Sequence, residues 1–199
     1  MTKDNALPRM KPERKSGAEP FINGGREAHV TLADFWRWAF SDILSNATRG
    51  VLAEFIVASA LGLARGVRGE WDLYDLVTES GKTIEVKSAA YLQSWRQKRP
   101  SKIVFSVRPS RAWDADSNEF ADDSRRQSDI YVFCLLAHTD KATVNPLDLG
   151  QWRFYVIATP ALNENLPGAK TISLKCLLSL SPAEGGYKDL RALVERAGR

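Results

Sequence analysis

A chain of 199 residues with 44% hydrophobic and 26% charged side chains has the composition of a soluble globular protein, long enough for one domain with a well-filled core. No apolar run approaches the roughly 18 residues that would cross a bilayer, and the charged N-terminus MTKDNALPRMKPERK leads into no apolar secretory segment, so a reducing cytoplasm is the expected location. The net charge of +4 and pI near 9.1 lean toward a polyanionic partner, while Cys134 and Cys176 match no metal-ligand spacing.

Residues 1–27 are rich in Pro, Gly and charge, show no periodicity and are expected to form a mobile tail ahead of a single domain over 28–199. In TLADFWRWAFSDIL, Thr31 stands three residues before Asp34, the pattern of a helix N-cap with an acid in the first turn. Leu32, Phe35, Trp36, Ala39, Phe40 and Ile43 then recur at helical spacing. Asn46 reads as the cap of a second helix, ATRGVLAEFIVASALGL, whose Val51, Leu52, Phe55, Ile56 and Leu63 make one stripe and which Gly62 or Gly66 ends.

From there the period changes to two, or to continuous apolar runs. WDLYDLVTE and KTIEVKSAA predict a hairpin, KIVFSVRP (102–109) a third strand, and SDIYVFCLLAHT (128–139) a central strand with Cys134 buried in it. QWRFYVIATP (151–160) reads as a strand stopped by Pro160, and KTISL (170–174) as a short edge strand. The polar stretches 110–127 and 140–150 read as loops. YKDLRALVERA (187–197) closes the chain as an amphipathic helix with Tyr187, Leu190, Leu193 and Val194 inward. The fold class expected is α/β, a mixed β-sheet flanked by helices.

The hairpin carries charges where a buried strand should be apolar. Glu85 and Lys87 are two apart and share a face, with Ile84 and Val86 on the other. If the turn is the three-residue loop Glu79-Ser80-Gly81 with Gly in the left-handed region, residue numbers across the hairpin sum to 160 and Asp75 falls opposite Glu85. A two-residue turn at Ser80-Gly81 would slip the register by one and send Asp75 to the wrong face. Two opposed carboxylates repel unless a cation lies between them, and hard oxygen ligands suit Mg²⁺ or Mn²⁺. A lysine beside such an ion can stabilise developing negative charge, so the set suits phosphodiester hydrolysis.

Asp75 followed ten residues on by Glu85-Val86-Lys87 resembles the PD-(D/E)XK nuclease superfamily, with Tyr74 where that motif has its proline. Glu54, in RGVLAEF on the second helix, matches the upstream glutamate that many members carry. The resemblance spans roughly residues 46–138. It implies a restriction-endonuclease-like core, with a flanking helix supplied by YLQSWRQ (91–97) or by part of 112–127. It further implies a metal-dependent endonuclease in which Glu54, Asp75, Glu85 and the Val86 carbonyl hold Mg²⁺, or Mn²⁺ in its place, and Lys87 acts on the water and the phosphate.

The surroundings support a nucleic-acid partner. Residues 82–111 hold eight Lys and Arg against Glu85 alone, before the sign reverses at Asp114, Asp116, Glu119, Asp122 and Asp123. Tyr91, Gln93 and Trp95 interleave with Arg96, Lys98, Arg99 and Lys102, a composition suited to phosphates and a stacked base. Ser88 is expected to support the site from behind, and Gln93 follows Glu-X-Lys as a glutamine does in some relatives. The expected substrate is DNA rather than RNA, cut in restriction, repair or recombination, by a homodimer or beside a partner protein, with no membrane involved. The alternatives are a non-catalytic nucleic-acid-binding module on the same fold, and an interaction protein whose hairpin charges are merely solvated. His29 and His138 stand alone, Gly24-Gly25 lacks the strand–helix context of a phosphate loop, and no Gly-x-Ser-x-Gly or Walker motif occurs.

Overall fold

A computed structural model describes residues 10–69, 72–114 and 119–198. Strands β1 (Pro20–Asn23) and β2 (Arg26–Thr31) form a hairpin that leads into α1 (Leu32–Phe40). Helix α2 (Asn46–Leu61) follows, then β3 (Leu76–Val77) and β4 (Thr83–Ala90). Next come β5 (Val104–Ser106) and the ribbon β6 (Ser110–Asp114) and β7 (Glu119–Arg125). The chain ends with β8 (Ile130–Leu136), β9 (Trp152–Ala158), α3 (Thr159–Asn165), β10 (Thr171–Ser173), α4 (Leu174–Ser179), β11 (Ala183–Gly185) and α5 (Leu190–Ala197).

The molecule is mixed α/β, as its pattern predicts. Five strands make one mixed sheet in the order β11-β9-β8-β4-β3, with β4 and β8 parallel and the other neighbours antiparallel. All seven residues of β8 are buried, because this central strand is covered on both faces. Ile130, Val132, Cys134 and Leu136 pack with Ile84, Val86 and the α2 residues Ala53, Ile56, Val57 and Leu61, together with Leu190, Leu193 and Val194 of α5. Tyr131, Phe133 and Leu135 face the other layer, with Phe105, Leu162, Ile172 and Leu177. Truncating one of these buried aliphatics to Ala would cost about 2–5 kcal/mol.

Capping follows the sequence closely. Thr31 and Asp34 form a reciprocal capping box on α1. Ser45, one residue earlier than expected, caps α2, and Gly62 ends that helix at φ 76°. The α2 stripe is rotated from the expected one: Val51 and Phe55 are exposed, and Ala53, Val57 and Ala58 are buried in their place. Small side chains let the helix lie close on the sheet, a preference that hydrophobicity alone does not register.

Several elements stand where no regular structure was expected. The hairpin β1–β2 lies within 20–31, where alternation is hidden by polar residues and Gly24-Gly25 makes the turn. The tail residues 1–9 lie outside the described residues, as do Glu70 and Trp71 of the first hairpin strand and positions 115–118 of the supposed loop. The rest of 110–127 is a two-stranded ribbon, β6 with β7, instead of a loop. Residues 91–97 are not helical, and neither is the described part of 112–127. Strand β5 pairs with β10 outside the main sheet. Pro160 opens α3 instead of merely stopping β9, since proline is tolerated in a first helical turn.

Candidate active site

The turn decides the site. Thr78 donates its N–H to the Lys82 carbonyl at 2.8 Å, Gly81 donates to the Thr78 carbonyl at 2.9 Å, and Gly81 takes φ 82°. This is the three-residue loop over Glu79-Ser80-Gly81. Leu76 pairs with Ile84 and Val77 with Thr83, so residue numbers sum to 160 and Asp75 comes opposite Glu85. Asp75 itself stands just before β3, in a bend, and not within a strand as expected. Its N–H reaches the Ile84 carbonyl at 3.0 Å, one residue out of step with the ladder.

The bend hands Asp75 a second contact with β4. Its carboxylate Oδ2 accepts the Val86 N–H at 2.6 Å, a bond that a longer β3 would have taken with its backbone. Within a strand a residue's N–H and C=O point off the same edge. The Val86 carbonyl therefore faces the gap beside Asp75, on the edge that β3, only two residues long, stops covering. The opposite edge of β4 is taken by β8, in register from Ile84↔Ile130 to Ala90↔Leu136.

Glu85 and Lys87 project from the same face of β4, half-buried and ion-paired with each other. Ser128 donates its hydroxyl to Glu85 Oε2 at 3.3 Å. Glu54 comes from α2, its side chain only 14% exposed, and is held by Arg68 through two guanidinium bonds, one of them Nη2 to Oε1 at 2.9 Å. A cavity of about 390 Å³ opens between α2 and residues 63–69 and 72–77, and Glu54 and Asp75 share its wall with Phe55, Arg68 and Tyr74. A larger one of about 500 Å³ lies behind the hairpin turn against α5, with none of these acids in its lining.

Electrostatics ties the group together. Burial raises the Asp75 carboxyl from its ordinary 3.8 to about 6; Glu85 and, more weakly, Glu54 add to the rise, while the Val86 N–H and Lys87 oppose it. Tyr131, beside Glu85 in the β4–β8 register, is pushed up to about 12, first by burial and then by Glu85. Burial also raises the Cys134 thiol, with smaller contributions from Asp75 and Glu54, so this thiol is an inert core group.

The donors here are hard oxygens, the chemistry of Mg²⁺ or Mn²⁺ sites. Three carboxylates, Glu54, Asp75 and Glu85, stand with Lys87 and Arg68 among them, and burial with the two acidic neighbours keeps Asp75 raised. In donor chemistry the residues fit a divalent cation. They do not form a closed cage: among the described residues no three His, Cys, Asp or Glu side chains are gathered tightly enough to hold an ion by themselves. The Val86 carbonyl is the natural supplement.

The residues expected against nucleic acid divide into two groups. Arg96, Lys98, Arg99 and Lys102 are exposed, as is Trp95, 53% open to solvent. Tyr91 is half-buried and packs on the core, its carbonyl accepting the Ser101 N–H at 2.8 Å. Gln93 is buried, and this corrects its expected contact with nucleic acid. Its amide donates to the Ala90 carbonyl and Ser101, and its Oε1 accepts from Arg49. Ser88 accepts from Arg49 Nε at 3.3 Å and faces α2, away from Glu85 and Lys87.

Sequence reasoning missed Arg68, Ser128, Tyr131 and Arg49. Arg49 is a buried guanidinium, lowered in pKa by desolvation, that ties the start of α2 to Ser88 and Gln93 through neutral acceptors. A lone arginine in an apolar helix was the available signal for it. Arg68 lies in the Gly-rich stretch after α2, and Ser128 just before β8; neither belongs to a spaced motif.

A family model described as bacteriophage T4 endonuclease IV matches residues 37–175. That span holds α2, the hairpin, β4, the basic loop and β8, and therefore each of Glu54, Asp75, Glu85 and Lys87. No curated protein and no solved structure matches the chain.

Proposed function

The chain belongs to the bacteriophage T4 endonuclease IV family, and we propose that it cuts DNA at the open edge of β4 with a divalent metal ion, in the manner of the PD-(D/E)XK nucleases. Membership makes the chain an endonuclease, a hydrolase of phosphodiester bonds. The finer reading rests on one observation: the Asp75 carboxyl grips the Val86 N–H while lying in the field of Glu85, Glu54 and Lys87.

Asp75, Glu85, Glu54 and the Val86 carbonyl are the residues that would hold Mg²⁺, with Mn²⁺ able to replace it. When bound, the ion supplies positive charge to a phosphate oxygen and acidifies a water. Asp75 must be ionised to serve, and a pKa near 6 leaves it so at neutral pH. Ser128 fixes the rotamer of Glu85 from behind, and Arg68 does so for Glu54. Lys87 stands on the same face as Glu85, where its ammonium opposes the negative charge that develops on the phosphate. Arg96, Lys98, Arg99 and Lys102 supply sequence-independent phosphate contacts, and the exposed ring of Trp95 offers a stacking surface. Tyr91 is a weaker candidate on the same loop because half of it is committed to the core.

The test is cleavage of supercoiled plasmid, single-stranded DNA and RNA in Mg²⁺, Mn²⁺ or EDTA, by wild type, Asp75→Ala and Lys87→Ala. Metal-dependent cutting of DNA that falls at least about 100-fold in each variant is expected. Cutting that survives EDTA undiminished removes the metal assignment. Unchanged cutting in both variants moves the site elsewhere. Salt-sensitive binding without cutting would favour the non-catalytic module.

A further inference from the structure

Residues 20–40 build a hairpin and a capped helix without burying a single side chain. Among the described residues α1 is alone of the five α-helices in this respect. A nine-residue helix and a two-stranded hairpin are each marginal in water without an apolar face to bury. Yet this arm is well formed. The Leu32 and Ala33 N–H groups bond to the Glu19 and Gly17 carbonyls at 2.9 and 2.8 Å, and Phe35 and Phe40 meet edge to face at 6.1 Å.

What the arm exposes is apolar. Phe21, Ile22, Phe35, Trp36, Trp38 and Phe40 are all open to solvent, Trp38 to 85%. At about 150–250 Å² for each aromatic side chain, they expose several hundred Å² of apolar surface. Summed over the six, that is at least comparable with the roughly 300–600 Å² patch of an ordinary monomer, and approaches the roughly 800 Å² that one side of a standard interface buries. The arm also lies almost entirely ahead of residues 37–175, the span that holds Glu54, Asp75, Glu85 and Lys87.

Charge selects the occupant. Arg26 and Arg37 balance Glu27 and Asp34 within residues 20–40, and Arg37 is already paired to Asp34 at 2.8 Å. A neutral surface with its acids in place does not suit a polyanion, unlike the basic loop at 96–102, and it meets an identical surface without repulsion. Area and neutrality together point to the same arm on another copy, meeting across a two-fold axis as an isologous interface. We propose that the β1–β2–α1 arm is the dimer interface of this protein, to which the Phe35–Phe40 ring pair and the exposed Trp38 contribute.

The proposal does not depend on the catalytic reading, and its test is separate from cleavage. Full-length protein is followed by sedimentation velocity and light scattering from nanomolar to high micromolar concentration, for wild type and for Trp38→Arg combined with Phe40→Arg. Wild type is expected to be a dimer at micromolar concentration and to dissociate on dilution. The double variant is expected to dimerise at least about 100-fold more weakly, with its circular dichroism unchanged. Hydrogen exchange on unmodified wild type guards against misfolding of the variant: α1 amides should gain protection as concentration rises, and amides of β8 should not. A wild type that stays monomeric throughout overturns the proposal, as does a folded double variant that dimerises normally. A monomer whose arm binds anionic phospholipid vesicles or single-stranded oligonucleotide would overturn it too, and would name the occupant.

Discussion

Two aspartates grip the same strand from its two sides. Asp129, at the start of β8, accepts the Thr83 N–H and hydroxyl, each at 2.9 Å. Asp75, across the other edge of β4, accepts the Val86 N–H at 2.6 Å. The bonds are alike, and the consequences are opposite. The Asp129 carboxyl lies below its ordinary range, led by the Thr83 backbone bond, because it is exposed and has Lys82 nearby. The Asp75 carboxyl is raised to about 6, because burial and two acidic neighbours outweigh the same kind of bond. A backbone N–H holds an aspartate in place; what surrounds it decides whether the aspartate is strain or scaffold. Asp75 carries the cost of burial beside Glu85 and Glu54, and Asp129 simply ties two strands together.

The largest expected difference is in cleavage. Asp75→Asn should lower the rate by about 1,000-fold, while Asp129→Asn should stay within a few-fold of wild type, measured on the same substrate in Mg²⁺. Equal losses in the two would dissolve the contrast. Lys87→Ala should cost about 100-fold or more, against an effect of less than tenfold for Ser128→Ala, whose hydroxyl only steadies Glu85.

Stability should run the other way. Asp75 has a folded pKa above its unfolded one, so the native state holds the extra proton between pH 4 and 6. Its unfavourable contribution is absent below pH 4, grows as pH rises through that window and is complete above 6. In EDTA at pH 7, Asp75→Asn should therefore stabilise the fold by on the order of 2 kcal/mol. The gain should vanish at pH 4 when melting is compared across pH. Asp129 has the opposite sign: its contribution is full at neutral pH and fades as pH falls below its ordinary 3.8. Its replacement should cost less than about 1 kcal/mol at pH 7, and a gain there would break the comparison. The smallest effect belongs to the basic loop. Replacing Lys98, Arg99 and Lys102 with Gln should lower the salt slope of DNA binding by about 3, one for each phosphate contact removed.

The local chemistry of the site was readable from the chain. Alternation put Glu85 and Lys87 on one face, and Gly81 predicted the turn whose register set Asp75 opposite Glu85. The apolar run at 128–139 marked the central strand, and spacing marked the closing helix. These are near-neighbour properties, carried by side-chain period and by glycine's access to positive φ.

What the tertiary structure alone decided is everything that depends on distant residues meeting. Arg68 closing on Glu54, Ser128 on Glu85 and Arg49 on Gln93 join positions 14, 43 and 44 apart, and no local pattern encodes such pairs. Burial of Gln93 and exposure of Trp38 depend on which layers cover a surface, which hydrophobic spacing cannot say. The pKa of Asp75 is the clearest case: the sequence determined that an aspartate falls opposite Glu85 across a hairpin, and the fold, by burying it beside Glu85 and Glu54, decided that its carboxyl would be raised to about 6.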